Sequence, residues 1–210
     1  MRVISNTAVS LDGRIGTVGE YSFNVGSDED RRRMGLLRAK ADAVLVGGQT
    51  FRVGPQLITE PIELRRTGVR RPLVNAVLTR RGVASFIGDE WQSSDAVLHV
   101  FGPNLDRDAH ESRGATVHTA ADPAAVLDAL EAMGCQLVLV EGGGDLIFQL
   151  VAMDRIDSVY MTLAPRIIGG VGAPSLADGT GFTPDAIRNF GLVDLERVGD
   201  ELYLRYDKKG

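Results

Sequence analysis

The run from Leu137 to Val151 constrains this chain more than any other part of it. Leu137-Val138-Leu139-Val140 is an apolar stretch of strand length, and Leu146-Ile147-Phe148 with Leu150-Val151 opens an amphipathic helical pattern. Between them stand Glu141, three successive glycines (Gly142, Gly143 and Gly144) and Asp145. A strand that ends in a carboxylate and turns through glycines into a helix is how α/β proteins hold a nucleotide at the edge of a sheet. The glycines let the backbone approach closely, and the helix start offers unpaired N–H groups and partial positive charge to a phosphate. Asp145 and Leu146 follow the third glycine, so the pattern is not GxGxxG. A tight turn that binds nothing is the alternative, but three glycines exceed what a turn needs.

Apolar runs of strand length recur at Val3–Val9, Ala43–Val46, Leu73–Leu78, Ala96–Phe101, Thr116–His118, Leu137–Val140, Val159–Leu163, Gly191–Val198 and Leu202–Tyr206. Helical patterns fall between most of them. Ser27 caps an acidic first turn (Asp28, Glu29, Asp30), and Met34, Leu36, Leu37 and Ala39 fit a buried stripe running to Lys40. Asp122-Pro123 opens a helix through Met133, with Gly134 as its stop. Alternating strands and helices imply an α/β fold with a mostly parallel central sheet flanked by helices. The last two strands, joined across Gly199-Asp200, read as a C-terminal antiparallel hairpin. Gly54–Arg71, with two prolines and four arginines, reads as a long loop or lid.

With 210 residues, the chain fits one domain, 1–210. A net charge of −5 argues against a nucleic-acid partner. Cys135 is the only cysteine, which rules out an internal disulfide or a CxxC metal site and suits a reducing compartment. Met133 and Leu137 around it point to a packing role. The start, Met1-Arg2-Val3-Ile4-Ser5-Asn6, enters a strand without a signal-peptide pattern, and no run is long enough to span a membrane. The expectation is a cytoplasmic protein with no membrane partner and no bound metal.

Three further junctions carry possible chemistry. Ser10-Leu11-Asp12-Gly13 follows the first strand and reads equally well as a turn or as part of a site. Val46-Gly47-Gly48-Gln49-Thr50 repeats the strand-to-glycine logic and adds the Thr50 hydroxyl. Thr79, Arg80 and Arg81 end a strand and suit a cofactor 2′-phosphate, which arginine grips bidentately; a solvated turn is the alternative. His99, His110 and His118 fall on a strand, a helix and a strand, and read as structural.

Five segments occur in order: Thr7–Ile15, Glu29–Ala39, Asp42–Thr50, Val140–Gly144 and Leu163–Gly170. Together they resemble the pyrimidine reductase family of riboflavin biosynthesis, the reductase half of the bacterial bifunctional deaminase–reductase and its stand-alone relatives. The resemblance runs from Val3 to about Tyr206. It implies a dihydrofolate-reductase-like fold, a homodimer, NADPH as cofactor, and reduction of the ribosyl group of a 5′-phosphorylated aminopyrimidine to a ribityl chain.

Carried over motif by motif, it implies cofactor contacts at Ala8 (backbone), Asn24, Thr50, Thr79, Gly142, Gly143, Gly144, Asp145 and Leu146, to which the reading of the strand end above adds Arg80. Substrate contacts fall on Ser22, Arg38, Leu57 and Glu141. Arg38 suits a ribose phosphate, though an arginine at a helix C-terminus also answers the helix dipole. Asp12 or Glu141, acting through water, is the candidate proton donor.

The chain departs from the family after Thr50. Phe51–Glu60 is one residue shorter before its proline, lacks an expected acid, and places Glu60 where an arginine belongs; Arg65, Arg66, Arg70 or Arg71 could replace that arginine. No deaminase zinc motif can be built from one cysteine. A dihydrofolate or other pteridine reductase, and a nucleotide-binding module without catalysis, are the competing readings.

Overall fold

Each of the nine apolar runs is a strand in the computed structural model, which describes residues 1–19, 23–56, 58, 72–88, 96–120 and 122–209. The strands are β1 (Arg2–Ser10), β2 (Ala43–Gly47), β3 (Leu73–Leu78), β4 (Ala96–Gly102), β5 (Thr116–Thr119), β6 (Leu137–Val140), β7 (Ser158–Ala164), β8 (Phe190–Val198) and β9 (Glu201–Lys208). The helices are α1 (Asp28–Arg38), α2 (Gly48–Val53), α3 (Arg107–Glu111), α4 (Pro123–Ala132) and α5 (Gly144–Ala152). Ser22, Leu57 and the arginines at 65, 66, 70 and 71 lie outside the described residues. The chain forms two compact units, one of Met1 and Gly35–Leu139, the other of Arg2–Met34 and Val140–Gly210.

In the first unit the strand order is β5-β4-β3-β2-β6. The pairs β2–β3, β3–β4 and β4–β5 are parallel, with Ala43 opposite Val74, Leu73 opposite Ala96, and His99 opposite Thr116. Leu73, Ala76, Val77, Leu98, Val100 and Phe101 are buried. Such near-continuous apolar strands are what a parallel sheet covered on both faces requires. α4 starts where expected: the Asp122 carboxylate accepts the Ala125 N–H at 3.0 Å, and Pro123 stands in the first turn. Its apolar face (Val126, Leu127, Leu130) is fully buried, and Gly134 leaves it at φ +88°, a conformation that favours glycine. Cys135 is buried, in keeping with a packing role. Asp42 accepts the backbone N–H groups of Gln136 (2.8 Å) and Leu137 (2.9 Å), fixing the entry to β6.

In the second unit the order is β1-β7-β9-β8. β1 and β7 are parallel, while β7–β9 and β9–β8 are antiparallel. The expected hairpin turns at Gly199, whose φ is +61°. Ala8, Thr162 and Tyr203 lie opposite one another across β1, β7 and β9.

α1 differs from its expected pattern. Leu37 and Ala39 are buried, but Met34 and Leu36 are only half-buried. The helix instead seats its first turns through polar residues spaced three apart. Ser27 Oγ donates to Glu201 Oε2 at 2.6 Å, Asp30 is hydrogen-bonded to Thr162, and the Arg33 guanidinium lies 4.0 Å from the Tyr203 ring centroid. Hydrophobic periodicity cannot detect a helix that docks on hydroxyls and carboxylates.

Candidate active site

The three glycines after Glu141 do three different jobs. Gly142 has φ +105°, which side-chain-bearing residues rarely adopt. Gly143, at φ −85° and ψ −174°, is the N-cap of α5, and no side chain caps the helix there. The Gly142–Gly143 peptide is cis. Gly144 is crowded: a Cβ would overlap the Ser175 carbonyl oxygen and the Asp178 carboxylate. Asp178 in turn accepts the Ser175 hydroxyl at 2.6 Å and its N–H at 3.1 Å. Leu146 is buried in the core, whereas Asp145 is exposed and accepts Gln149 Nε2 at 3.0 Å. Glu141 is half-buried at the start of this turn.

Beyond the end of β1, Asp12 is a clasp. Its Oδ1 accepts the Ser10 hydroxyl (2.6 Å) and the Ile168 N–H (3.1 Å), and its Oδ2 accepts the Gly169 N–H (2.7 Å). These bonds, the Ser10 hydroxyl foremost, lower its pKa to about 2, so it is a carboxylate at neutral pH with no proton to give. Arg14 adds a bond from Nη1 to the Ala173 carbonyl at 2.7 Å. Residues 10–14 and 168–173 are thereby tied together. The Asn24 carbonyl accepts Arg166 Nη1 at 3.3 Å, and Arg166 lies 5.6 Å from the Phe23 ring centroid.

In the first unit, α2 also begins on a glycine N-cap, Gly47, without a side-chain cap. A Cβ on Gly48 would come within 2.6 Å of Thr79 Cβ, so Thr79 at the end of β3 packs directly against the start of α2. Thr79 is buried, Thr50 half-buried and Arg80 exposed. Arg52, unmarked in the sequence reading, reaches back to this junction: Nη1 lies 3.4 Å from Thr79 Oγ1 and 3.2 Å from the Gly82 carbonyl, and Nη2 lies 3.2 Å from Gln49 Oε1. Arg38 is the last residue of α1 and half-buried.

A family model described as the RibD C-terminal domain matches residues 1–204. The chain belongs to the RibD C-terminal domain family. One relative, the 2,5-diamino-6-ribosylamino-4(3H)-pyrimidinone 5′-phosphate reductase of Methanothermobacter thermautotrophicus, is 30% identical over 219 residues, covering 99% of this chain and 98% of that protein. Among solved structures, Acinetobacter baumannii RibD superposes with TM-score 0.82 at 21% identity; the match covers this whole chain but 58% of that one. Dihydrofolate reductase from Enterococcus faecalis, complexed with NADP(H), gives TM-score 0.55 at 13% identity, covering all of this chain and 97% of that one. The fold is therefore the mixed α/β, dihydrofolate-reductase-like one that the motifs implied.

For this RibD-family member, the sequence-predicted site residues fall into two sets. Thr50, Thr79 and Arg80 gather where β2–α2 meets the end of β3; Ala8, Asp12, Glu141, the glycine turn and Leu146 belong to the other unit. The histidines are structural in their surroundings. His110 Nε2 accepts the Val83 N–H at 3.0 Å, which leaves Nδ1 to donate to the Asp106 carbonyl at 2.6 Å. Sequence reasoning missed Arg52, Asp178 and buried Asp30. Desolvation pushes the Asp30 carboxyl above its usual range, with the nearby Glu201 and Glu141 charges adding to it. Position Asp30, three residues after a serine cap, read only as part of an acidic first turn.

Proposed function

We propose that the protein is an NADPH-dependent reductase that converts the ribosyl group of a 5′-phosphorylated ribosylaminopyrimidine to its ribityl form, a step of riboflavin biosynthesis. The observation that carries this reading is the β6–α5 junction. Glu141 ends at a glycine turn whose helix starts without a side-chain cap, so the first-turn N–H groups suit a phosphate. The β2–α2 junction has the same uncapped start.

When bound, the cofactor supplies hydride to the anomeric carbon of the substrate's open, imine-like form. The protein's share is alignment and water exclusion. Gly142, Gly143, Gly144, Asp145 and Leu146 suit a cofactor phosphate, with the Ala8 backbone and Asn24 as further cofactor contacts of that unit; Thr50, Thr79 and Arg80 are the cofactor-contact candidates of the other unit. Arg38 takes the substrate phosphate, with Ser22 and Leu57 as further contacts. Glu141 hydrogen-bonds the ring or a ribose hydroxyl and handles protons through water. Asp12, ionised and fully engaged, positions the 168–173 loop instead of donating a proton.

We also assign a homodimer. β8 ends the strand order of its unit, and Leu192, Val193 and Leu195 on it are each more than half exposed, an apolar edge that a second copy would cover. Light scattering on the purified protein tests this, and a monomer at micromolar concentration sinks it.

Fluorescence titration with NADPH and NADH, followed by turnover of the ribosylaminopyrimidine phosphate and of dihydrofolate, tests the activity. Turnover of the first substrate alone is expected. Absence of NADPH binding overturns the reading.

A further inference from the structure

Residues 173–182 form no helix or strand, yet they are fastened to three separate parts of the second unit. At the first, Ser175 makes an antiparallel bridge with Arg14, the Pro174 carbonyl accepts the Ile15 N–H at 2.9 Å, and the Ala173 carbonyl accepts Arg14 Nη1 at 2.7 Å. At the second, the Ser175 carbonyl and the Asp178 carboxylate abut Gly144, the first residue of α5, where only a glycine leaves room for them. At the third, Gly179 lies so close to the Phe148 ring that a Cβ would overlap it, and Phe182 packs on that ring with centroids 4.9 Å apart. One strap thus runs from the exit of β1 to the first turns of α5.

Asp178 closes this strap on itself. Its Oδ1 accepts the Ser175 hydroxyl at 2.6 Å, and its two oxygens accept the Ser175 N–H at 3.1 and 3.2 Å. Ser175 is both the residue that bridges Arg14 and the residue whose carbonyl meets Gly144. By fixing Ser175, Asp178 fixes the β1 exit and the helix start relative to each other. Backbone without regular structure depends on such side-chain bonds for its geometry, and bonds to a carboxylate are the stronger kind. The charge itself is well placed, because the start of a helix carries partial positive charge.

We propose that Asp178 is a positioning residue for cofactor binding: through Ser175 it keeps the glycine start of α5 aligned with the end of β1. It acts through the backbone and not by contact with the cofactor. The inference rests on the proposed use of the α5 start for a cofactor phosphate, and adds to it the residue that holds that start in place. Donors that must converge on one group lose affinity when displaced by a fraction of an ångström, so a residue beside the site governs it.

The test is equilibrium binding of NADPH and backbone hydrogen exchange on the full chain, without turnover. Wild type, Asp178→Ala, Asp178→Asn and Ser175→Ala are compared, each well below its melting temperature. Asp178→Ala is expected to weaken NADPH roughly ten- to a hundredfold, the effect of misaligning one hydrogen bond to a charged group. Asp178→Asn keeps an acceptor for Ser175, should stay within about threefold of wild type, and guards against an alanine variant that fails to fold. Ser175→Ala, which loses the hydroxyl bond and keeps the N–H, should fall between. In wild type, NADPH should slow exchange of the Ile15 N–H, which is bonded to the strap at Pro174; in Asp178→Ala that added protection should vanish. A strap that only stabilises the fold would lower the melting temperature and move neither readout. Unchanged NADPH affinity in folded Asp178→Ala overturns the proposal, as does ligand protection of Ile15 that persists in it. Asp178→Asn that binds NADPH much more tightly than wild type would make the carboxylate a repulsive charge and overturn it too. Variants that match an NADPH-binding wild type leave the reductase reading standing; wild type that does not bind NADPH overturns both.

Discussion

Asp12 and Gly169 are joined by a 2.7 Å hydrogen bond from the glycine N–H to Oδ2, while Ile168 and Ser10 bind the other carboxylate oxygen. One exposed side chain therefore fastens the 168–170 backbone to the end of β1. Asp12→Asn presents an NH2 group to a backbone donor and must lose at least one of these bonds. The variant should stay folded at neutral pH, with faster amide exchange at Ile168 and Gly169. In wild type the folded pKa lies below the unfolded one, at about 2 against 3.8. The stabilisation is complete above the unfolded value and disappears as pH falls through about 2. Hydrogen exchange at those two amides checks this; equal protection in variant and wild type would mean that the clasp does nothing.

The glycine turn separates strain, space and packing. Gly142→Ala meets a positive φ, and Gly144→Ala meets Ser175 and Asp178. Each should destabilise the fold by about 1–3 kcal/mol, roughly 2–4 °C of melting temperature per kcal/mol for a chain of this size. Gly143 has an extended backbone conformation open to any residue, so Gly143→Val should cost less stability while abolishing NADPH affinity through bulk at the helix start. Undiminished NADPH affinity in a folded Gly143→Val protein would reduce the junction to a structural turn.

The strands were legible because parallel strands buried on both faces are simply apolar, as Leu73–Leu78 and Leu137–Val140 are. α4 was legible because Asp122, Pro123 and Gly134 are local signals that need no partner. The seat of α1 was not, since Ser27, Asp30 and Arg33 acquire their meaning from Glu201, Thr162 and Tyr203, more than 130 residues away in the chain. The same applies to the site. The glycines marked the junctions, but which of the three carried the unusual φ, and which was crowded, depended on Ser175 and Asp178. Arg52 carried no signal of its own until the fold brought Thr79 beside it.

Two titrations should act on stability in opposite directions. His99 Nδ1 and His118 Nε2 are 2.8 Å apart, and the His118 ring stacks on Phe101 at 4.6 Å. Burial, with His118 adding to it, lowers the His99 pKa to about 4; His118 is lowered by burial and by Arg107. Unfolding therefore takes up about one proton through His99 between pH 6.5 and 4, and stability should fall as pH falls across that window. His99→Gln should flatten this part of the profile. A melting temperature with the same acid dependence in that variant would clear the pair of any part in acid lability.

Asp30 works the other way. Its folded pKa is raised, so its neutral form is favoured by folding and its contribution is lost as pH rises through the folded value. Asp30→Asn keeps a hydrogen-bonding group for Thr162 without the buried charge. The variant should gain stability relative to wild type, and the gain should grow with pH in urea unfolding at pH 5 and pH 8. A constant difference would show that the carboxyl does not titrate with folding.

Arg38 separates the proposed substrate from a pteridine. If its guanidinium grips the 5′-phosphate, Arg38→Ala should raise the substrate KM about thirty- to a hundredfold, the equivalent of roughly 2–3 kcal/mol for a charge-assisted contact in a partly dry site, while NADPH affinity stays nearly unchanged. Dihydrofolate carries carboxylates on a longer arm and would need its anion site elsewhere. Position at the end of α1 gives the competing account: a cation there complements the helix dipole, and its loss would cost less than about 1 kcal/mol of stability with no kinetic effect. Steady-state kinetics and thermal melts on the same variant distinguish the two. Dephosphorylated substrate turned over as well as the phosphate ester by wild type would end the phosphate role, whatever the variant did.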